Sequence, residues 1–146
     1  MGFGSNRILK ELKQFQASDS LQLIPSDDIS VQYVDMKVGN NPLYPETYRL
    51  RFIIEDDYPF APPQVQFVGP NKIPIHPHIY SNGHICLNIL YDGWSPANSL
   101  RTVSLSVQSM LSGNTDGSRP EGDHQYCKSA PKNPLHSKWV FDDDSI

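Results

Sequence analysis

Three histidines and a cysteine stand close together in this 146-residue chain: His76, His78, His84 and Cys86. Imidazole nitrogen and thiolate sulfur are preferred zinc ligands, so one chemistry that they could support is a tetrahedral metal site. The spacing argues against this interpretation, because Pro77 constrains the chain between two candidate ligands and the sequence has no Cys-x-x-Cys pair. A metal site is therefore the weaker hypothesis.

Cys86 has two other interpretations, as a nucleophile or as a buried structural thiol. A nucleophilic cysteine needs a thiolate that its substrate can reach and polar neighbours that stabilise the reaction. Residues 80–84 and Asn88 supply hydrogen-bond donors, and Gly83 allows a close approach of the backbone. Cysteine is nevertheless among the most buried residue types, so composition alone leaves both interpretations open.

Hydrophobic periodicity predicts the elements that position this cluster. Apolar residues at helical spacing predict an amphipathic helix over residues 6–16. Alternating apolar residues then predict three antiparallel strands, over residues 34–38, 48–55 and 64–67. Residues 69–96 have little periodicity, and an irregular stretch of that length inside a compact domain is usually functional.

Helical spacing returns after this stretch and predicts a central helix. Its apolar positions are Leu100, Val103, Val107, Met110 and Leu111. Asn98 or Ser99 can cap its start and Gly113 can end it. A further short helix is predicted over residues 125–130, and Pro131 prevents its continuation. The fold class is therefore α+β: an N-terminal helix, an antiparallel meander, an irregular loop, a central helix and a short irregular C-terminal region.

Length and composition indicate one domain over residues 1–146, with a tail from about residue 131 that we expect to be flexible. The formal net charge of −4 argues against a nucleic-acid binder, which needs a basic surface. Two cysteines are too few for a disulfide framework, and no signal peptide or membrane span is recognisable. We therefore expect a cytoplasmic or nuclear protein that does not bind membranes.

Longer motifs around the cysteine resemble those of a known family. The segments HPH (76–78), IYSNGHICL (79–87) and WSPA (94–97) together are similar to the active-site signature of ubiquitin-conjugating enzymes. The YPFAPP block at 58–63 is also similar to that family's, and so is the order of predicted elements. The resemblance thus implies the ubiquitin-conjugating-enzyme fold.

Two departures from the family's usual motifs narrow the resemblance. His78 stands where the usual tripeptide has Asn, and Asn88 replaces a frequent acidic residue two places after the cysteine. Together with Trp139 in a proline-interrupted C-terminus, these features resemble the W-type ubiquitin-conjugating enzymes. That group is associated with attaching ubiquitin to the α-amino end of substrates.

The resemblance implies a role for each motif residue. Cys86 would accept ubiquitin from an activating enzyme as a glycyl thioester and pass it to a substrate amine. His78, Asn82 and Asn88 become candidates for stabilising the oxyanion or the loop, and His76 for shaping the loop. No cofactor is expected to bind, since the activating enzyme uses ATP upstream. The partner contacts implied for a RING or U-box ligase are Arg7, Lys10, Phe60, Ser95, Pro96 and Ala97.

The Asn at position 88 affects which substrate amine we expect to accept ubiquitin. A lysine amine has a reference pKa near 10.4 and benefits from a carboxylate that removes its proton, whereas an α-amino group near 7.7 to 8.0 is already partly neutral. We therefore expect a preference for substrates with a flexible N-terminus. The acidic and imidazole groups that could still supply a base are Asp116, Glu121, Asp123 and His124.

Two alternatives to the thioester-forming enzyme stay open. One is a catalytically silent relative that only binds ubiquitin or a ligase, and the other is the metal-binding protein considered above. Silent relatives characteristically lack the active-site cysteine, which is present here, so the enzyme is favoured.

Overall fold

The computed structural model describes residues 3–141, which form a four-stranded sheet packed against helices. The helices are α1 (Phe3–Gln14), α2 (Leu100–Ser112) and α3 (Asp123–Ser129), and the strands are β1 (Leu21–Ile24), β2 (Val31–Lys37), β3 (Thr47–Ile53) and β4 (Gln64–Val68). Two short 3-10 helices lie at Asn88–Leu90 and Pro134–His136. The α+β class is confirmed.

The sheet is an antiparallel meander in the order β1-β2-β3-β4. Val34 lies opposite Leu23 on one side and Leu50 on the other, and Phe52 lies opposite Val65. Buried and half-buried side chains alternate along β2, β3 and β4, so one face of the sheet forms the core. The period-two pattern of the sequence therefore has its expected physical cause.

The prediction of three strands was wrong by one, because β1 was missed. Leu21–Ile24 has only four residues and is an edge strand, and Leu21 alone among them is fully buried. Its two adjacent apolar residues, Leu23 and Ile24, interrupt the alternation on which the prediction depended. The first predicted strand also begins earlier than expected, at Val31, because that outward-facing end pairs with Ile53.

Helix α2 follows its prediction closely. Leu100, Val103, Val107 and Leu111 are fully buried, and α2 packs against β2 on the inner face of the sheet. Ser99 caps the helix, since its hydroxyl accepts from the Thr102 N–H while the Thr102 hydroxyl accepts from the Ser99 N–H. Gly113 is the C-cap. In contrast, α1 lies about two residues earlier than predicted.

Among residues 3–141, no helix is both long and apolar enough to cross a membrane.

Candidate active site

Cys86 lies at the end of a short extended stretch that leads into the 3-10 helix Asn88–Leu90. Its backbone N–H donates to the His78 carbonyl at 2.8 Å, next to a bridge between Ile79 and Ile85. The side chain is half-buried. Residues 76–78, which we call the histidine tripeptide, are thus joined through the backbone to Cys86, which follows His78 by eight residues.

Gly83 fixes this stretch against the sheet. Its φ is 92°, and a Cβ atom added there would lie 2.0 Å from the Phe67 carbonyl oxygen on β4. Phe67 in turn donates its N–H to the Gly83 carbonyl at 2.9 Å. The close backbone approach predicted for Gly83 is therefore confirmed, and it is one that only glycine permits.

Two of the three clustered histidines are buried and neutral. His76 is 4% exposed, and its Nδ1 accepts from the His78 N–H at 2.8 Å. Burial and the neighbouring His78 lower the pKa of His76 to about 4. Burial also lowers the pKa of His84, whose Nδ1 lies 2.8 Å from the Tyr126 hydroxyl. Both rings are therefore occupied in holding the loop.

The three candidate stabilisers make different contacts in the stretch that contains Cys86. His78 is half-buried and presents its carbonyl to the Cys86 N–H. Asn82 uses its side-chain oxygen to accept from the His84 N–H at 3.0 Å, so this oxygen stabilises the turn before the cysteine. Asn88 begins the 3-10 helix beyond it, and its carbonyl accepts from the backbone N–H groups of two residues further along.

The histidines and Cys86 do not converge as metal ligands. The Nδ1 atoms of His76 and His84 are already engaged with the His78 N–H and the Tyr126 hydroxyl. Over the described range 3–141, no group of three or more His, Cys, Asp or Glu side chains is placed to hold a metal ion. The geometry therefore does not support the metal-site hypothesis.

An aromatic cluster that the sequence analysis missed covers one side of the cysteine. Trp139 stacks on Tyr91 with ring centroids 4.8 Å apart, and Tyr80 stacks on Tyr126 at 3.9 Å. The next residue in the tail places its carbonyl, Val140 O, 3.7 Å from the Cys86 sulfur. These rings come from four separate segments without a common period, so no local pattern indicates them.

Comparison with known proteins agrees with this geometry. Residues 7–139 match the family model described as ubiquitin-conjugating enzyme. The chain belongs to the ubiquitin-conjugating enzyme family. It is accordingly a transferase of the ubiquitination pathway, and the family implies ubiquitin, an activating enzyme and a ligase as partners.

Individual relatives are similar over nearly the whole chain. Ubiquitin-conjugating enzyme E2 W of Caenorhabditis elegans is 40% identical over 148 residues, covering 97% of this chain and 97% of the relative. The probable ubiquitin-conjugating enzyme E2 W-A of Danio rerio is 42% identical over 146 residues, covering 95% of each. The predicted resemblance to W-type members is thus confirmed.

A solved structure confirms the fold. The crystal structure of ubiquitin-conjugating enzyme E2 UbcA1 from Agrocybe aegerita superposes with a TM-score of 0.84 at 34% identity, covering 92% of this chain and 99% of that one. The ubiquitin-conjugating-enzyme fold predicted from the motifs is therefore the fold of this enzyme.

Of the four groups considered as a base, Asp123 touches the active-site stretch of this conjugating enzyme. Its Oδ1 accepts from the Ser81 N–H at 2.8 Å and lies 3.4 Å from the Cys127 sulfur. Burial alone would raise the pKa of Asp123, but hydrogen bonds from Ser81 and Cys127 outweigh it and hold the pKa below its usual range. Asp116, Glu121 and His124 are exposed on the surrounding loop and helix.

The predicted partner residues lie on α1 and on two loops beside its exposed face. Lys10, Ser95, Pro96 and Ala97 are exposed, and Phe60 is 70% exposed. Arg7 is only partly exposed, because its guanidinium donates to the carbonyls of Pro96 and Asn98 at 3.0 and 3.2 Å. Arg7 thus ties α1 to the second loop, and the contact of these residues with a ligase stays a prediction.

A buried carboxylate joins α1 to the first loop and to the start of α2. Glu11 of α1 is 8% exposed and accepts from the Tyr58 hydroxyl at 2.6 Å, the Leu100 N–H at 2.7 Å and the Arg7 Nε at 3.0 Å. Trp94 adds a further link, since its Nε1 donates to the Pro59 carbonyl at 2.8 Å. We call Arg7, Glu11, Tyr58 and Trp94 the loop brace, because together they set the positions of both loops.

Proposed function

We propose that this enzyme carries ubiquitin as a thioester on Cys86 and transfers it preferentially to α-amino groups, together with a RING or U-box ligase. The observation that carries the proposal is the position of Cys86. Its thiol is half-buried, its N–H is fixed by the His78 carbonyl, and His76 and His84 hold the loop around it.

The chemistry consists of two acyl transfers. In the first, the Cys86 thiolate attacks the thioester carbonyl of ubiquitin on the activating enzyme, the old carbon–sulfur bond breaks and the activating enzyme's thiolate leaves. In the second, a substrate amine attacks the new carbonyl, the carbon–sulfur bond breaks and the Cys86 thiolate leaves, while the amine releases a proton. Both steps pass through an oxyanion, for which the side chains of His78 and Asn88 are the candidate donors.

The residue two places after Cys86 supports the preference for α-amines. Asn88 has no charge with which to remove a proton from a lysine ammonium. The nearby Asp123 carboxylate already accepts from Ser81, and hydrogen bonds hold its pKa below the usual range, which makes it a weak base. An α-amino group, whose reference pKa is about 7.7 to 8.0, is already partly deprotonated at neutral pH and therefore needs less help from a base on the protein.

Incubation with activating enzyme, ATP and ubiquitin tests the thioester. We expect an adduct that thiols cleave and that Cys86→Ala abolishes. Cys127→Ala is the matched control, because it removes the other half-buried thiol of the chain and should leave the adduct intact. An adduct that survives in Cys86→Ala, or none in the unchanged protein, would contradict the proposal; the second result would indicate a silent relative.

Competition between two acceptor peptides tests the preference, one with an unblocked N-terminus and no lysine, the other N-acetylated with one lysine. We expect faster transfer to the first. Asn88→Asp should raise the rate on lysine, whereas Asn6→Asp adds the same charge on the exposed surface of α1 and should not. Transfer mainly to lysine by the unchanged enzyme would reject the preference.

A further inference from the structure

Arg119 lies outside every motif of the active site, yet its side chain contacts the active-site stretch at three points. Its Nη1 donates to the carbonyls of Pro74 and Ile79 at 2.7 and 3.0 Å, and its Nη2 donates to the carbonyl of Ile73 at 3.0 Å. The guanidinium is half-buried, and no salt bridge within residues 3–141 involves it. The three carbonyls stabilise its charge together with the Asp123 carboxylate, which also acts electrostatically on the guanidinium.

The stretch that Arg119 holds cannot be held by a strand ladder. Pro74 and Pro77 have no N–H to donate, and the stretch contributes only isolated bridges. Its carbonyls therefore need donors from elsewhere. Besides Arg119, the Tyr44 hydroxyl donates to the Ile75 carbonyl at 2.7 Å.

The contact at Ile79 is one peptide unit away from the carbonyl that binds the cysteine. The Ile79 carbonyl accepts from Arg119, while the preceding carbonyl, that of His78, accepts from the Cys86 N–H. Any rotation of the chain at Ile79 would move His78 and Cys86 relative to each other. A planar guanidinium with donors in a rigid fork restricts such a rotation at three carbonyls at once.

We propose that Arg119 is a positioning residue for ubiquitin transfer, which holds the histidine tripeptide in register with Cys86. The proposal rests on the proposed function only in that the reacting thiol is Cys86. Arg119 contacts the backbone carbonyls of Ile73, Pro74 and Ile79. It acts through the backbone of residues 73–79.

The kinetic test measures single-turnover discharge of the preformed Cys86 thioester to a lysine-free peptide with an unblocked N-terminus. Arg119→Ala should lower the maximal rate by about tenfold to 10²-fold, since misplacement of about 1 Å can cost 10²-fold, while the half-saturating peptide concentration stays unchanged. Arg119→Lys should recover part of the rate, because one ammonium can reach some of the carbonyls. An unchanged maximal rate in Arg119→Ala would overturn the proposal.

Arg101→Ala is the matched control. Arg101 is also half-exposed but donates to a single remote carbonyl, Gln16 O, at 3.3 Å. Its removal deletes the same charge and should leave discharge unchanged. Equal losses in both variants would also overturn the proposal, because they would point to net charge instead of position.

Amide hydrogen exchange on the protein without bound ubiquitin tests the same contact in the absence of any reaction. In Arg119→Lys the Cys86 amide should exchange about fivefold faster or more, as expected for weakening its environment by about 1 kcal/mol, while amides of β3 stay protected. Unchanged exchange at Cys86 would overturn the proposal whether or not ubiquitin is carried there. Failure of the unchanged protein to form a thiol-sensitive adduct would instead reject the proposed function.

Discussion

Buried imidazoles beside Cys86 affect how the protein responds to acid. His76 accepts a hydrogen bond at Nδ1 and is held neutral, and the pKa of His84 is lowered in the same direction. Protonation of either ring would place a charge in the interior, and the cost of burying that charge outweighs the hydrogen bonds that favour it. The loop around the thiol is therefore least stable where histidine is normally charged.

The pH dependence of stability follows from this. The folded pKa of His76, about 4, lies below the unfolded value of 6.5, so the unfolded chain binds more protons between these values. The contribution of His76 is present above pH 6.5 and is lost as the pH falls toward 4, by about 3 kcal/mol. The free energy of unfolding, measured by urea denaturation at several pH values, should therefore change less steeply with pH in His76→Asn than in the unchanged protein.

His136→Asn is the control for that measurement. His136 is exposed in the short C-terminal 3-10 helix, so its replacement should leave the slope as in the unchanged protein. Identical slopes for all three proteins would show that His76 does not carry the acid sensitivity.

At the scale of elements, alanine substitutions at three glycines distinguish the cost of backbone strain from the cost of a steric clash. Gly83→Ala combines a φ of 92° with a Cβ only 2.0 Å from Phe67 O, whereas Gly122→Ala has a φ of 77° but open space. Gly39→Ala has neither a positive φ nor a neighbour within 4 Å. We expect the free energy of unfolding, measured by chemical denaturation, to fall by about 3 kcal/mol or more in Gly83→Ala and by about 1 to 2 kcal/mol in Gly122→Ala. In Gly39→Ala it should stay about the same. Equal losses at Gly83 and Gly122 would contradict the contact with β4.

The loop brace makes a second prediction at this scale. Tyr58→Phe removes the hydroxyl that donates to Glu11 at 2.6 Å and leaves the ring in place. We expect the free energy of unfolding to fall by about 1.5 to 3 kcal/mol, the range for a hydrogen bond to a charged group. Tyr33→Phe, on the open face of β2, should cost about 0.5 kcal/mol or less. Equal effects would mean that Glu11 is satisfied without Tyr58.

Elements whose packing repeats along the chain could be predicted from the sequence. Helix α2 presents apolar residues every third or fourth position and begins at a capping serine, so both its face and its start are local properties. Strand β1 could not be predicted, because four residues at a sheet edge contain too few positions for a period. Its existence depends on pairing with β2.

The candidate site divides in the same way. Cys86 and the histidine tripeptide stand in one continuous segment, whose motifs are readable in order along the chain. The contacts of Arg119 join residues that lie 40 to 46 positions apart in the sequence, and Trp139 and Tyr91 are separated by still more positions. Such contacts follow from the folded topology and leave no periodic signal in the sequence.

At the scale of the whole molecule, residues 139–141 pack beside Cys86, since Trp139 stacks on Tyr91 and the Val140 carbonyl lies 3.7 Å from the Cys86 sulfur. Trp139→Ala should increase the alkylation rate of Cys86 by about fivefold, because an aromatic pair contributes about 1 kcal/mol to the closed arrangement. The rate is measured with iodoacetamide in a Cys127→Ser background. Lys138→Ala removes the exposed neighbouring side chain and should have no effect. Equal rates for all variants would mean that the tail does not limit access to the thiol.

The late position of Arg119 in the chain has a consequence for biosynthesis. Cys86 is synthesised 33 residues before it, which at about 5 to 20 residues per second is an interval of about 2 to 7 s. During that interval the histidine tripeptide lacks the donor that holds Ile73, Pro74 and Ile79. Ribosome-stalled chains of increasing length should therefore transfer ubiquitin from Cys86 to a peptide amine at the full rate only after Arg119 has emerged; full-rate transfer by shorter chains would contradict this order.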